Sequence, residues 1–173
     1  MIDGVEGVYM RVTVIGCGRW GSFLAWYIDR IGHRVTLYGR EGSEHMRAFL
    51  QTRTNGLVTL PERVSLQTTL SGDADAYIIS IGSQGLRKML GQNAALLRGK
   101  PLIMCMKGIE IGTGKRLTEI VADVLGSEQP VAVWIGPGHV QEFTRGIPNC
   151  MVIDSADEAL KTRLVDAFSG DLI

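Results

Sequence analysis

A β-branched run, Arg11-Val-Thr-Val-Ile15, ends directly on Gly16-Cys-Gly-Arg-Trp-Gly21, and apolar residues at helical spacing follow at once. A G-x-G-x-x-G between a strand and a helix restricts what the chain can build there. Gly16 permits the tight turn, Gly18 lets a pyrophosphate approach the backbone, and Gly21 lets the helix pack closely on the sheet. The helix start adds unpaired N–H groups and the positive end of its dipole. These features together predict a dinucleotide site.

The rest of the chain alternates in the same way. Phe23, Leu24, Tyr27, Ile28 and Ile31 predict a helix over 20–31, closed by Gly32. Strands are predicted over 35–38, 76–81, 102–106, 131–135 and 151–153. Further helices are predicted after Ser43, after Ser83 as a cap, over 117–125, and after a Ser155-x-x-Glu158 capping box. The stretch from Thr54 to Leu70 carries breakers and reads as irregular. Several strands are apolar on both faces, as in a parallel sheet covered by helices. The expected fold is therefore α/β, a doubly wound, mostly parallel sheet of the Rossmann dinucleotide-binding type, with residues 1–173 as one domain.

Composition narrows the function. The 173 residues carry 18 basic and 18 acidic side chains, so a general polyanion binder is excluded and no nucleic-acid partner is expected. No apolar run reaches the ~20 residues needed to cross a bilayer, so no membrane partner is expected. Met1–Met10 contains Asp3 and Glu6 and does not read as a signal peptide. Cys17, Cys105 and Cys150 lack metal-ligand spacing, so no metal is expected; reduced thiols fit a cytoplasmic protein.

Several strand ends carry candidate chemistry. At the end of the second strand, where an acidic residue would bind the adenosine ribose, the chain has Tyr38-Gly-Arg40. An arginine there pairs with the 2′-phosphate of NADP at about 1.5–3 kcal/mol, or ~10–100-fold in affinity. The cofactor is thus NADP or NAD, with NADP favoured by Arg40. Lys107 follows the 102–106 strand directly and can hold a phosphate or orient a substrate oxygen. Gly136-Pro-Gly-His139 opens a helix at another strand end, and Ser83 occupies a similar place. His139 reads as a polar surface group, His33 and His45 as structural, and Trp134 as core.

In order along the chain, Gly16-Cys-Gly-Arg-Trp-Gly-Ser22, Asn55, Leu60-Pro61, Ser83-Gln84, Leu86-Arg87, Lys107-Gly-Ile-Glu110, Thr113-Gly114, Gly136-Pro137, Glu142 and Arg145-Gly146-x-Pro148 resemble NAD(P)-dependent glycerol-3-phosphate dehydrogenases. The resemblance implies an oxidoreductase that interconverts sn-glycerol 3-phosphate and dihydroxyacetone phosphate, and hence a small phosphorylated substrate. It implies cofactor contacts at Gly16, Gly18, Arg19, Trp20, Gly21, Arg40, Ser83, Lys107 and Val140. It implies substrate contacts at Lys107, Gly136 and Gly138.

Some positions depart from the family. Arg19 replaces a small hydroxyl residue, Gly82 a proline, and Gly138 a serine or threonine. Family members are about twice as long, with a helical second domain that supplies the general acid/base lysine. The chain is thus expected to be the cofactor-binding half, poorly active alone, with exposed apolar surface compatible with a homodimer. Two other readings fit the residues: a non-catalytic dinucleotide-binding module, and a reductase of the ketopantoate or 6-phosphogluconate type.

Overall fold

The structure, a computed structural model, describes residues 9–173, so the signal-peptide reading of the first residues lies outside it. Strands β1 (Arg11–Ile15), β2 (Arg34–Tyr38), β3 (Ser65–Gln67), β4 (Ala76–Ile79), β5 (Leu102–Met104), β6 (Val131–Ile135) and β7 (Val152–Ser155) form one sheet in the order β3-β2-β1-β4-β5-β6-β7. All neighbouring pairs are parallel except β6–β7. From β1 the chain winds outward to β3, then returns to β4 and winds the other way. The reversal falls between β1 and β4, where strand ends diverge and leave a crevice.

Alternation along the strands sorts side chains between two cores. Val12, Val14, Ala76, Ile78, Ile103, Ala132 and Trp134 face α1 (Arg19–Arg30), α2 (Glu44–Thr52), α6 (Val140–Phe143) and α7 (Glu158–Phe168). Ile15, Tyr77, Ile79, Leu102 and Met104 face α3 (Leu86–Gln92), α4 (Ala94–Leu97) and α5 (Leu117–Leu125). With helices on both faces, the near-continuous apolar strands are the expected consequence.

The C-terminal helix is locked to the first one by aromatic and polar contacts. Trp134 stacks on Phe168 with centroids 5.2 Å apart, and the Tyr27 hydroxyl donates to the Phe168 carbonyl at 2.8 Å. His33 is structural, as its lack of chemical partners in the sequence suggests. Its Nδ1 accepts from Met10 N–H, and its Nε2 lies 2.7 Å from the Ala167 carbonyl oxygen.

Local differences from the sequence expectations have physical causes. The stretch 54–70 contains β3, a three-residue edge strand whose polar Ser65 and Gln67 conceal it. Asp157, not Ser155, caps α7, its carboxylate accepting from Leu160 N–H at 3.0 Å; the Ser155 hydroxyl instead donates to the Val131 carbonyl. Ser83 opens a single 3₁₀ turn, Ser83–Gly85, without capping it. The helix after His139 is one turn, α6, too short to carry much dipole.

The Tyr27 bond gives a direct test. Burial first, then the charge of Asp171, pushes its phenol up to about 12. Because the folded-state value is raised, its stabilising contribution is complete below pH ~10 and is lost as pH rises towards 12. Tyr27→Phe is expected to cost about 1 kcal/mol at pH 8 and to remove that alkaline decline from urea-unfolding midpoints. Identical alkaline slopes in both proteins would contradict the assignment.

Candidate active site

The glycine loop divides into two kinds of position. At Gly16, with φ +115°, an added Cβ would collide with the Ser80 carbonyl oxygen, and at Gly21 with the Gly16 carbonyl oxygen. Those two glycines are demanded by the chain's own packing. At Gly18 a Cβ would meet nothing within 4 Å, and the backbone there is ordinary extended chain, φ −71° and ψ −176°. No side chain caps the α1 N-terminus that Gly18 opens. The Ser22 hydroxyl donates to the Gly18 carbonyl and accepts from Asn55 Nδ2 at 2.8 Å, which ties the 54–60 loop to the first helical turn.

Two cavities adjoin this helix start. One, of about 660 Å³, reaches from Gly18 to the end of β2 and the first turns of α3. Arg40, His45 and Lys88 line it together with Ser43, Asn93 and Gln92, and no carboxylate does. A wall with Arg40 and Lys88 and no carboxylate suits a phosphate rather than a ribose diol. The other, of about 340 Å³, lies beyond the ends of β5 and β6 and is lined by Trp20, Lys107, Trp134, Gly136 and Gly138, among others. Trp134 Nε1 is buried there without an acceptor in the chain, as the one such side-chain atom among the described residues. The Cys105 thiol in the same wall is pushed well above the ordinary thiol range by burial.

Lys107 is exposed and forms no ion pair among the described residues. Its loop is held from the α3 side. Arg87 donates to both Glu110 carboxylate oxygens at 2.8 and 2.9 Å, and the Thr113 hydroxyl donates to one of them at 2.6 Å. That guanidinium, with the hydroxyl, draws the Glu110 carboxyl down to about 2.

Of the residues expected from sequence, Gly18 and Arg40 line the larger cavity, and Trp20, Lys107, Gly136 and Gly138 the smaller. Gly16 and Gly21 shape the turn between them. Arg19 is exposed at the start of α1, and Ser83 lies against Gly108. Val140 is buried in the core and lines neither cavity. The glycine at 138 has a structural reason: a Cβ would enter the Phe143 ring, which stacks on Phe23 with centroids 5.0 Å apart. Sequence reasoning missed Lys88 and set aside His45 as structural. Nothing in their spacing marks them: only the sheet order brings α3, and Lys88 with it, beside the end of β2, and His45 on α2 has no partner in the sequence.

A family description, "NAD-dependent glycerol-3-phosphate dehydrogenase N-terminus", matches residues 11–161. A glycerol-3-phosphate dehydrogenase, NAD(P)+-dependent, from Bradyrhizobium sp. strain BTAi1 is 35% identical over 168 residues, covering 94% of this chain and 51% of its own length. One from Beijerinckia indica is 36% identical over 170 residues, with coverages of 94% and 50%. The chain thus spans about half the length of these relatives. Its fold is that of the glycerol-3-phosphate dehydrogenase of Coxiella burnetii, with TM-score 0.81 at 22% identity over 94% of this chain and 51% of that one. A UDP-glucose dehydrogenase from Pyrobaculum islandicum shares the fold more distantly, with TM-score 0.69 at 17% identity over 97% and 46%. With the matched residues running from β1 into α7, the chain belongs to the N-terminal family of NAD-dependent glycerol-3-phosphate dehydrogenases.

Proposed function

We propose that residues 1–173 are the dinucleotide-binding domain of an oxidoreductase that interconverts sn-glycerol 3-phosphate and dihydroxyacetone phosphate, and that NADP is its preferred cofactor. The observation that carries this is Gly18. It is the loop glycine the protein's own packing does not need, and it stands at an uncapped helix start between two cavities. A pyrophosphate fits the space a side chain would fill, with α1 N–H groups as donors.

On this reading Arg40 and Lys88 hold the 2′-phosphate in the larger cavity, and His45 borders it. Gly16, Gly18, Arg19 and Gly21 form the pyrophosphate turn, with Ser83 flanking the cofactor's path and Val140 supporting the site from the core. Trp20 covers the nicotinamide end. Lys107 neutralises substrate phosphate or developing alkoxide charge between Gly136 and Gly138, an electrostatic role. The cofactor, when bound, supplies hydride chemistry, and the chain supplies orientation and charge. Exposed Ile109, Ile111, Ile147 and Val152 support self-association as a homodimer. Three free cysteines support a cytoplasmic setting. No helix of the described residues is long and apolar enough to cross a membrane.

Titration with NADPH and NADH is expected to show tighter NADPH binding. Arg40→Asp or Lys88→Met should each reduce that preference ~10-fold or more. Equal affinities in the wild type would exclude the 2′-phosphate assignment. Added glycerol 3-phosphate should alter the bound nicotinamide's fluorescence; a non-catalytic module would leave it unchanged.

The two kinds of loop glycine should also separate. Gly18→Val is expected to fold with a loss of only about 1 kcal/mol, the cost of a poorer N-cap, because its Cβ meets no protein atom, yet to lose dinucleotide binding. Gly21→Ala is expected to destabilise by roughly 1–3 kcal/mol through overpacking against the Gly16 carbonyl. Calorimetric melting and NADPH titration of both variants measure the difference.

A further inference from the structure

We propose that Arg87 and Gln84 are positioning residues for Lys107, acting through Glu110 and the backbone of residues 108–111. The proposal rests on the cofactor reading above and adds to it two side chains that touch neither cofactor nor substrate.

The segment between β5 and α5 makes its own hydrogen bonds only within residues 110–115, where Glu110 N–H donates to the Lys115 carbonyl and Gly114 N–H to the Glu110 carbonyl. Gly108, Gly112 and Gly114 all take positive φ, and a lone bridge between Ile109 and Arg116 pinches its base. Glycines leave such a segment conformationally free unless other groups fix it. A lysine at its start would then spread its charge over many positions, because its four-carbon stem is itself flexible.

The α3 side supplies the missing constraints. The Gln84 amide clasps the segment at two points: its Nε2 donates to the Ile109 carbonyl at 2.9 Å, and its Oε1 accepts from Ile111 N–H at 2.9 Å. Between these points Glu110 turns inward, its side chain 13% exposed, and receives both prongs of the Arg87 fork. Arg87 also reaches Asp123 on α5 at 3.0 Å, and Lys115 pairs with the same carboxylate. The clamp therefore ties three elements to one loop. Gly108 packs so closely on Ser83 that a Cβ would collide with the serine hydroxyl. The residue directly after Lys107 is thus seated against the end of the β4 connection, and Lys107 is left at the rim of the smaller cavity.

A bidentate guanidinium–carboxylate pair fixes direction as well as distance, which lysine at position 87 would not reproduce. The pair lines neither cavity, so its effect on binding must pass through the loop.

The test is a double-mutant cycle on this chain with two ligands. NADPH spans the cleft, whereas 2′,5′-ADP occupies only the adenosine side and does not reach Lys107. Arg87→Met and Lys107→Met are each expected to weaken NADPH binding about 10-fold, with 2′,5′-ADP binding unchanged. The double variant should bind NADPH no worse than Lys107→Met alone, since Arg87 acts only through the lysine. Arg87→Lys should recover little, and Glu110→Gln should fall between. If Arg87→Met does not fold, Arg87→Lys and Glu110→Gln complete the same cycle.

Additive losses, or equal losses for both ligands, would mean a general structural role and overturn the proposal. So would an unaffected Arg87→Met beside a weakened Lys107→Met, which leaves the cofactor reading standing. An unaffected Lys107→Met also overturns it, by removing the residue being positioned. If the wild type binds neither ligand, the cofactor reading fails first and the proposal with it.

Discussion

Where α1 leaves the end of β1, two backbones come closer than any side chain allows. A Cβ at Gly21 would collide with the Gly16 carbonyl, and one at Gly16 with the Ser80 carbonyl at the end of β4. Because both positions are glycine, the first turn of α1 lies directly over the two strands that flank the reversal of winding. Everything functional follows from that seat. The helix start points into the crevice, the ends of β2 and α3 close one side, and the ends of β5 and β6 close the other.

The helix packing that preserves this seat comes from far along the chain. α7 reaches back through Phe168 and Ala167 to Trp134, Tyr27 and His33, so the last helix braces the first. The smaller cavity shares a wall with this brace, since Trp134 both stacks on Phe168 and lines the cavity. Packing and site are therefore continuous at β6.

How far the amino-acid pattern reveals this depends on the range of the interaction concerned. The central strands and α1 were legible because burial on both faces forces unbroken apolar runs, and because one steric cause of the glycine spacing, Gly21 against the Gly16 carbonyl, is local to the loop. That Gly18, Arg40 and Lys107 line cavities was legible for a related reason: each lies within three residues of a strand's end, and strand ends face the crevice. Lys88 and the Gln84–Arg87 clamp were not, since only the sheet order sets α3 beside the ends of β2 and β5; His45, on α2, has no partner in the sequence to mark it. β3 escaped notice because three polar-flanked residues on an edge need no apolar pattern. Ser155 misled because Asp157 offered a competing cap two residues on, leaving the serine hydroxyl for the Val131 carbonyl.

On the function proposed above, one extended ligand lies across the α1 N-terminus, from Arg40 and Lys88 at one end to Lys107 at the other. Amide chemical-shift mapping of the isotope-labelled chain with saturating NADPH tests that placement most directly. A continuous band of shifted resonances is expected through residues 16–22, 40, 88, 107, 136 and 138, with the β6–β7 edge unchanged. Shifts confined to that edge, or absent around Gly18, would contradict it.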